Sequence, residues 1–105
     1  MGWADNYIAK LALGEDVSFR PRGNSMSPKI KSGQLVTVSP DLTLLVVGDV
    51  VLCKVGGRQY LHFLKARKTE MTKDSAKVSY QICNARGFTN GWTTTIYGRV
   101  TNIEE

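Results

Sequence analysis

With 105 residues the chain has room for one compact domain, expected to span residues 1–105, and its 42% hydrophobic and 22% charged residues suit a globular protein rather than a disordered one. A net charge of +5 is only a weak signal for nucleic acid. No apolar run approaches the roughly 20 residues of a membrane helix, and no basic-then-apolar leader opens the chain, so a cytoplasmic protein with no membrane association is expected.

Residues Trp3 to Leu13 are predicted to form the one helix. Trp3, Tyr7, Ile8 and Leu11 follow helical spacing, Asp5 adds an acid near the N-terminal end, and Gly14 is a natural stop. This assigns residues 1–16 to a helical segment and 17–105 to a β core. Short strands are expected at Val17–Phe19, Leu35–Val38, Val50–Val55, Gln59–Ala66, Val78–Cys83 and Thr93–Ile103, the last bent at Gly98. Gly56-Gly57 reads as a two-residue hairpin turn. The polar stretch Arg67–Lys77 reads as a hairpin tip. Many short strands behind one helix predict a mainly β fold, a strongly bent antiparallel sheet or partial barrel.

The two cysteines, Cys53 and Cys83, lie in strand-like runs without a CxxC or a His-containing cluster. They read as buried free thiols, and neither a metal nor a cofactor is expected. The basic residues fall into two interrupted sets, Arg20, Arg22, Lys29 and Lys31, and Lys65, Arg67, Lys68, Lys73 and Lys77. Both read as solvated surface. The oligomeric state has no sequence signal.

The segment Gly23-Asn24-Ser25-Met26-Ser27-Pro28 places a small hydroxyl in a turn beside a buried-type methionine, with Gly23 and Pro28 shaping the entry and exit. Taken alone it reads as a turn, because a serine hydroxyl is a poor nucleophile without a neighbouring base. In its Gly-x-Ser-Met-x-Pro order, followed by Gly33 and an apolar strand, it resembles the nucleophile box of the signal peptidase and LexA-like serine peptidases. Val47-Gly48-Asp49-Val50-Val51 resembles that superfamily's Gly-Asp box, and Tyr97-Gly98-Arg99-Val100 its closing strand. The resemblance spans residues 19 to 103. It implies a bent sheet of that type, Ser25 as nucleophile, a polypeptide substrate, and Gly23, Asn24, Met26 and Pro28 as substrate-binding neighbours. It also points to phage or bacterial regulators as the setting.

The resemblance places the general base on the strand after the hairpin, a lysine in most members and a histidine in some signal peptidases. His62, the chain's one histidine, falls in that position, and Lys65 follows three residues later. Side chains alternate along a strand, so His62 and Lys65 face opposite ways if the strand is regular. Leu61 and Phe63 read as the core-facing pair, which leaves His62 toward a cleft. His62 is the expected base, titrating near neutrality, and Lys65 is the fallback if a bulge changes the facing. The resemblance further implies a late aspartate, but Asn84–Trp92 holds no acid. Asn90 is the candidate orienter there, and Asp49 reads as a turn residue. With Gly23 in place of a second serine, an oxyanion hole would draw on backbone N–H groups.

Two functions remain open at this level. One is a small soluble serine endopeptidase using a Ser25–His62 dyad. The other is a catalytically inactive binding or regulatory module with a protein partner, for which Phe88, Trp92 and Tyr97 are contact candidates; nucleic acid is the weaker choice of partner for that module. A membrane-anchored signal peptidase, a complete repressor with a helix-turn-helix domain and internal self-cleavage are all unexpected.

Overall fold

The computed structural model describes residues 2–105. One helix, α1 (Asp5–Ala12), precedes seven strands: β1 (Val17–Phe19), β2 (Val36–Ser39), β3 (Val50–Val55), β4 (Arg58–Met71), β5 (Ala76–Cys83), β6 (Thr89–Thr93) and β7 (Thr95–Ile103). They form a single unclosed antiparallel sheet in the order β1-β2-β7-β3-β4-β5-β6. This is the mainly β architecture with one leading helix that the strand pattern predicts. No described helix is long and apolar enough to cross a membrane.

Strand β3 explains why its sequence does not alternate. It sits between β7 and β4, and five of its six side chains are buried. On one face Val50 and Leu52 join Val36, Val38, Phe19, Leu11 and Leu61. On the other, Val51, Cys53 and Val55 pack with Leu45, Leu64 and Ile82. Each fully buried aliphatic contributes about 1.5–3 kcal/mol of apolar burial, so a domain of this size relies on both clusters. The second face is covered because β6 curls back over β3: Thr93 Oγ1 donates to the Lys54 carbonyl at 2.5 Å, and Gly91 approaches Val55.

The helix is shorter than the periodicity predicts. Trp3 lies outside it, in the turn closed by Asp5 N–H on the Gly2 carbonyl; its indole N–H donates to the Gln59 carbonyl (3.1 Å) and Ala4 N–H to Gln59 Oε1 (2.9 Å). Gly14 ends it in the left-handed region (φ 85°), with Gly14 N–H on Leu11 O and Glu15 N–H on Lys10 O. This pair of bonds is the glycine-dependent Schellman arrangement. The Gly56-Gly57 turn joins β3 to β4 with φ of 56° and 82°, as the hairpin reading requires.

Two expectations need correction. Arg67–Lys77 is not all hairpin tip: β4 and β5 stay paired from Arg67↔Tyr80 to Met71↔Ala76, and only Thr72–Ser75 turns. Residues 67–77 are all exposed, so this ribbon carries no apolar alternation to announce it. Thr93–Ile103 is not one strand either. It divides at Thr94 into β6 and β7, and the register shift between Leu52↔Gly98 and Cys53↔Ile96 leaves Tyr97 unpaired in a bulge.

Beside that bulge, a Cβ on Gly98 would lie 2.6 Å from the Ser39 carbonyl oxygen and 2.7 Å from Val38 Cγ1. Gly98→Ala is therefore expected to destabilise the protein by about 1–3 kcal/mol, the usual cost of overpacking. Thermal unfolding checks it, and an unchanged midpoint would show that β2 can move aside.

Candidate active site

The serine segment is a tight loop closed on itself. Gly33 N–H donates to the Pro21 carbonyl (2.8 Å), Gly23 N–H to Ser32 Oγ (3.1 Å), and Arg20 Nη1 to the Gly33 carbonyl (2.9 Å). Met26 and Ile30, 5% and 3% exposed, anchor the loop in the core, and Ile30 N–H donates to the Met26 carbonyl. Gly23 takes φ 106°, which no residue with a Cβ adopts easily. The loop thus presents Ser25, which is exposed immediately before the Met26 anchor. Its carbonyl accepts from Ala85 N–H (2.9 Å), tying the loop to the turn before β6.

His62 lies in the middle of β4, opposite Val51, and is only 6% exposed. Its Nε2 is 3.2 Å from Ser25 Oγ, and its Nδ1 is 2.7 Å from Asn90 Oδ1. The amide oxygen of Asn90 can only accept, so Nδ1 carries the proton and donates. Nε2 is then the bare nitrogen and accepts from the Ser25 hydroxyl. Burial pushes the His62 pKa below its ordinary value of 6.5, against the hydrogen bond to Asn90, which raises it. The neutral imidazole is the favoured form at neutrality.

The orientation of Asn90 comes from a bulge. Gly91 pairs with Ile82 and Thr89 with Cys83, so Asn90 is the extra residue on β6. A bulge next to a site commonly re-aims one side chain, and Asn90 reaches His62. A second bulge falls at Lys65, between the pairs Leu64↔Ile82 and Ala66↔Gln81. Lys65 is exposed and its Nζ donates to Thr89 Oγ1 (3.3 Å), so the side chain on Ser25 Oγ is that of His62.

A groove of about 450 Å³ runs along Ser25 and His62. Gly23 and Met26 line it; Pro28 lines a separate concavity, and Asn24 is exposed, its carbonyl accepting from Ser27 N–H. The expectation that only one face of β4 meets the core is corrected. Leu61 and Phe63 do pack on the helix side, but Leu64 is buried and Tyr60 half-buried in the opposite cluster because β6 covers that face. Asp49 makes a turn, accepting from Val46 N–H (3.0 Å). Cys53 is buried, with its thiol pushed up to about 12, while Cys83 is only half-buried. Phe88 and Trp92 are exposed; Tyr97 is half-buried against the first cluster.

One participant escapes a reading from sequence pattern. Gln59 holds the segment before α1 and also bonds Asp5 Oδ1 through Nε2 (2.7 Å). This makes the N-terminal segment, through Trp3 and Tyr7, one wall of the groove. Its position three residues before His62 is the only signal, and nothing in a glutamine on a strand marks it as a latch.

The geometry is that of a serine-peptidase fold with its loop serine against a strand histidine. The chain belongs to the Peptidase S24-like family, whose model matches residues 6–100. Neither the curated proteins nor the solved structures compared with the chain match it.

Proposed function

We propose that this chain is a serine endopeptidase acting on polypeptides through Ser25, His62 and Asn90. The observation that carries the reading is the continuous bonded path from Ser25 Oγ through the imidazole to Asn90 Oδ1, at 3.2 Å and 2.7 Å. Ser25 Oγ attacks the scissile carbonyl carbon as His62 Nε2 takes its proton. The proton then passes to the leaving amine as the C–N bond breaks, leaving an acyl group on Ser25. Water, deprotonated by His62, attacks that acyl carbon and releases the second product. The Ser25 N–H is the natural first donor to the developing oxyanion. Asn90 is a positioning residue: it fixes the tautomer and ring angle of His62 without adding charge.

Labelling by a serine-directed fluorophosphonate tests the reading, and its pH dependence carries the sign of the His62 shift. Neutral His62 is the working base, and burial sets its pKa below 6.5. The labelling rate should therefore hold as pH falls through about 6.5 and drop only further down. A half-maximal rate at or above that value would mean that another group does the work.

The uncharged partner of His62 favours a second reading. Asn90 stabilises an imidazolium less than a carboxylate would, which suits a catalytically inactive binding or regulatory module with a protein partner. Absence of labelling at every pH selects that reading.

A further inference from the structure

The groove beside Ser25 has a chemical character of its own. Its floor next to the serine is apolar, built from Met26, Ile30 and Leu61, and Phe19 continues it toward Tyr7, whose ring stacks on Phe19 at 4.3 Å. Three cations line it: Arg20, Arg22 and Lys31, all exposed. Among the described residues its lining contains no aspartate or glutamate. Asp5, on the wall beside it, is taken up by Gln59 Nε2 and by Gly2 N–H (3.0 Å). Arg20 is held in place by the Gly33 carbonyl, so at least one of the three charges is fixed rather than free-swinging.

We propose that the groove selects acidic peptides: a segment with a bulky aliphatic or aromatic side chain next to the reacting carbonyl and carboxylates beside it. The inference rests on the peptidase reading for the identity of the groove as a peptide site. The apolar side chain seats on Met26, Ile30 and Leu61, where burying it supplies affinity. The carboxylates meet Arg20, Arg22 and Lys31, which supply discrimination and faster encounter rather than most of the binding energy. A cavity of about 450 Å³ falls within the size range of sites that take a few side chains.

The test uses the Ser25→Ala protein, so that binding is read without turnover, with Trp92→Phe added. Trp3 is then the one tryptophan, and it lies in the groove wall. Three synthetic peptides of equal length serve as probes: a central leucine flanked by Asp and Glu, the same peptide with lysines in their place, and the acidic peptide with a central glycine. The acidic leucine peptide should shift Trp3 emission and bind at least about tenfold more tightly than either of the others at low salt, with the charge preference shrinking at high salt. Arg22→Glu combined with Lys31→Glu should reverse the charge preference.

Equal binding of the acidic and basic peptides, a preference for the basic one, or no binding of any would overturn the proposal. Fluorophosphonate labelling of the wild-type protein, run alongside, separates the two claims. Labelling without a charge preference removes the substrate class and leaves the chemistry. An acidic preference without labelling keeps the ligand class and removes the chemistry.

Discussion

Ser25→Ala should abolish covalent labelling by a fluorophosphonate while leaving the fold unchanged, because Ser25 is exposed and, among the described residues, its hydroxyl bonds to His62 alone. His62→Ala should lower the labelling rate by about 10²–10⁴-fold, the usual contribution of a positioned general base. His62 is buried, so its truncation also opens space beside Tyr60, whose ring centroid lies 4.9 Å away. His62→Gln fills more of that space and cannot act as a base near neutrality, so it separates lost chemistry from lost folding. A matched far-ultraviolet circular dichroism spectrum and unfolding midpoint would show that the fold survives. Undiminished labelling of a folded His62→Gln protein would mean that Ser25 is not activated through this imidazole.

Changes at Asn90 should move both rate and pH profile. Asn90→Ala removes the acceptor on Nδ1, frees the ring to turn and to take the other tautomer, and should slow labelling by about 10–10²-fold, the cost of a misplaced catalytic group. Asn90→Asp replaces the neutral acceptor with a carboxylate. An opposite charge beside the imidazole raises its pKa, so the acid limb of the profile should shift to higher pH. Above that limb the rate should rise about tenfold or more, because the carboxylate stabilises the imidazolium formed in the transition state. A purely structural Asn90 would alter the unfolding midpoint and leave the acid limb where it is in the wild type. Asn90→Ala and Asn90→Asp proteins sharing the wild-type profile would remove Asn90 from the site.

How much of this was legible depends on the kind of signal each element carries. The Val50–Val55 strand and the Gly56-Gly57 turn are local features: an apolar run and two glycines with positive φ, and both lie where the sequence predicts. The Arg67–Met71 part of β4 was not legible, because a ribbon exposed on both sides needs only backbone pairing and leaves no trace in hydropathy. For the site, the order of the boxes marks Ser25 and His62, but strand alternation could not decide between His62 and Lys65, because β4 bulges at Lys65 and the regular alternation ends there. The pairing of Asn90 with His62 depends on which residue of β6 is extruded, a matter of register between β5 and β6 that no local pattern encodes. The groove wall was hidden for a related reason. It depends on Gln59 reaching across to the segment before α1, a contact 54 to 56 residues apart in sequence.

The central claim is that His62 activates Ser25 in particular, among the chain's many hydroxyls. The most direct measurement is peptide mapping by mass spectrometry after the native protein is exposed to a fluorophosphonate, with the urea-unfolded protein as control. One phosphonyl adduct, on Ser25, is expected in the native sample and none there after unfolding. An unmodified Ser25, or modification spread over other residues and persisting in urea, would contradict that claim.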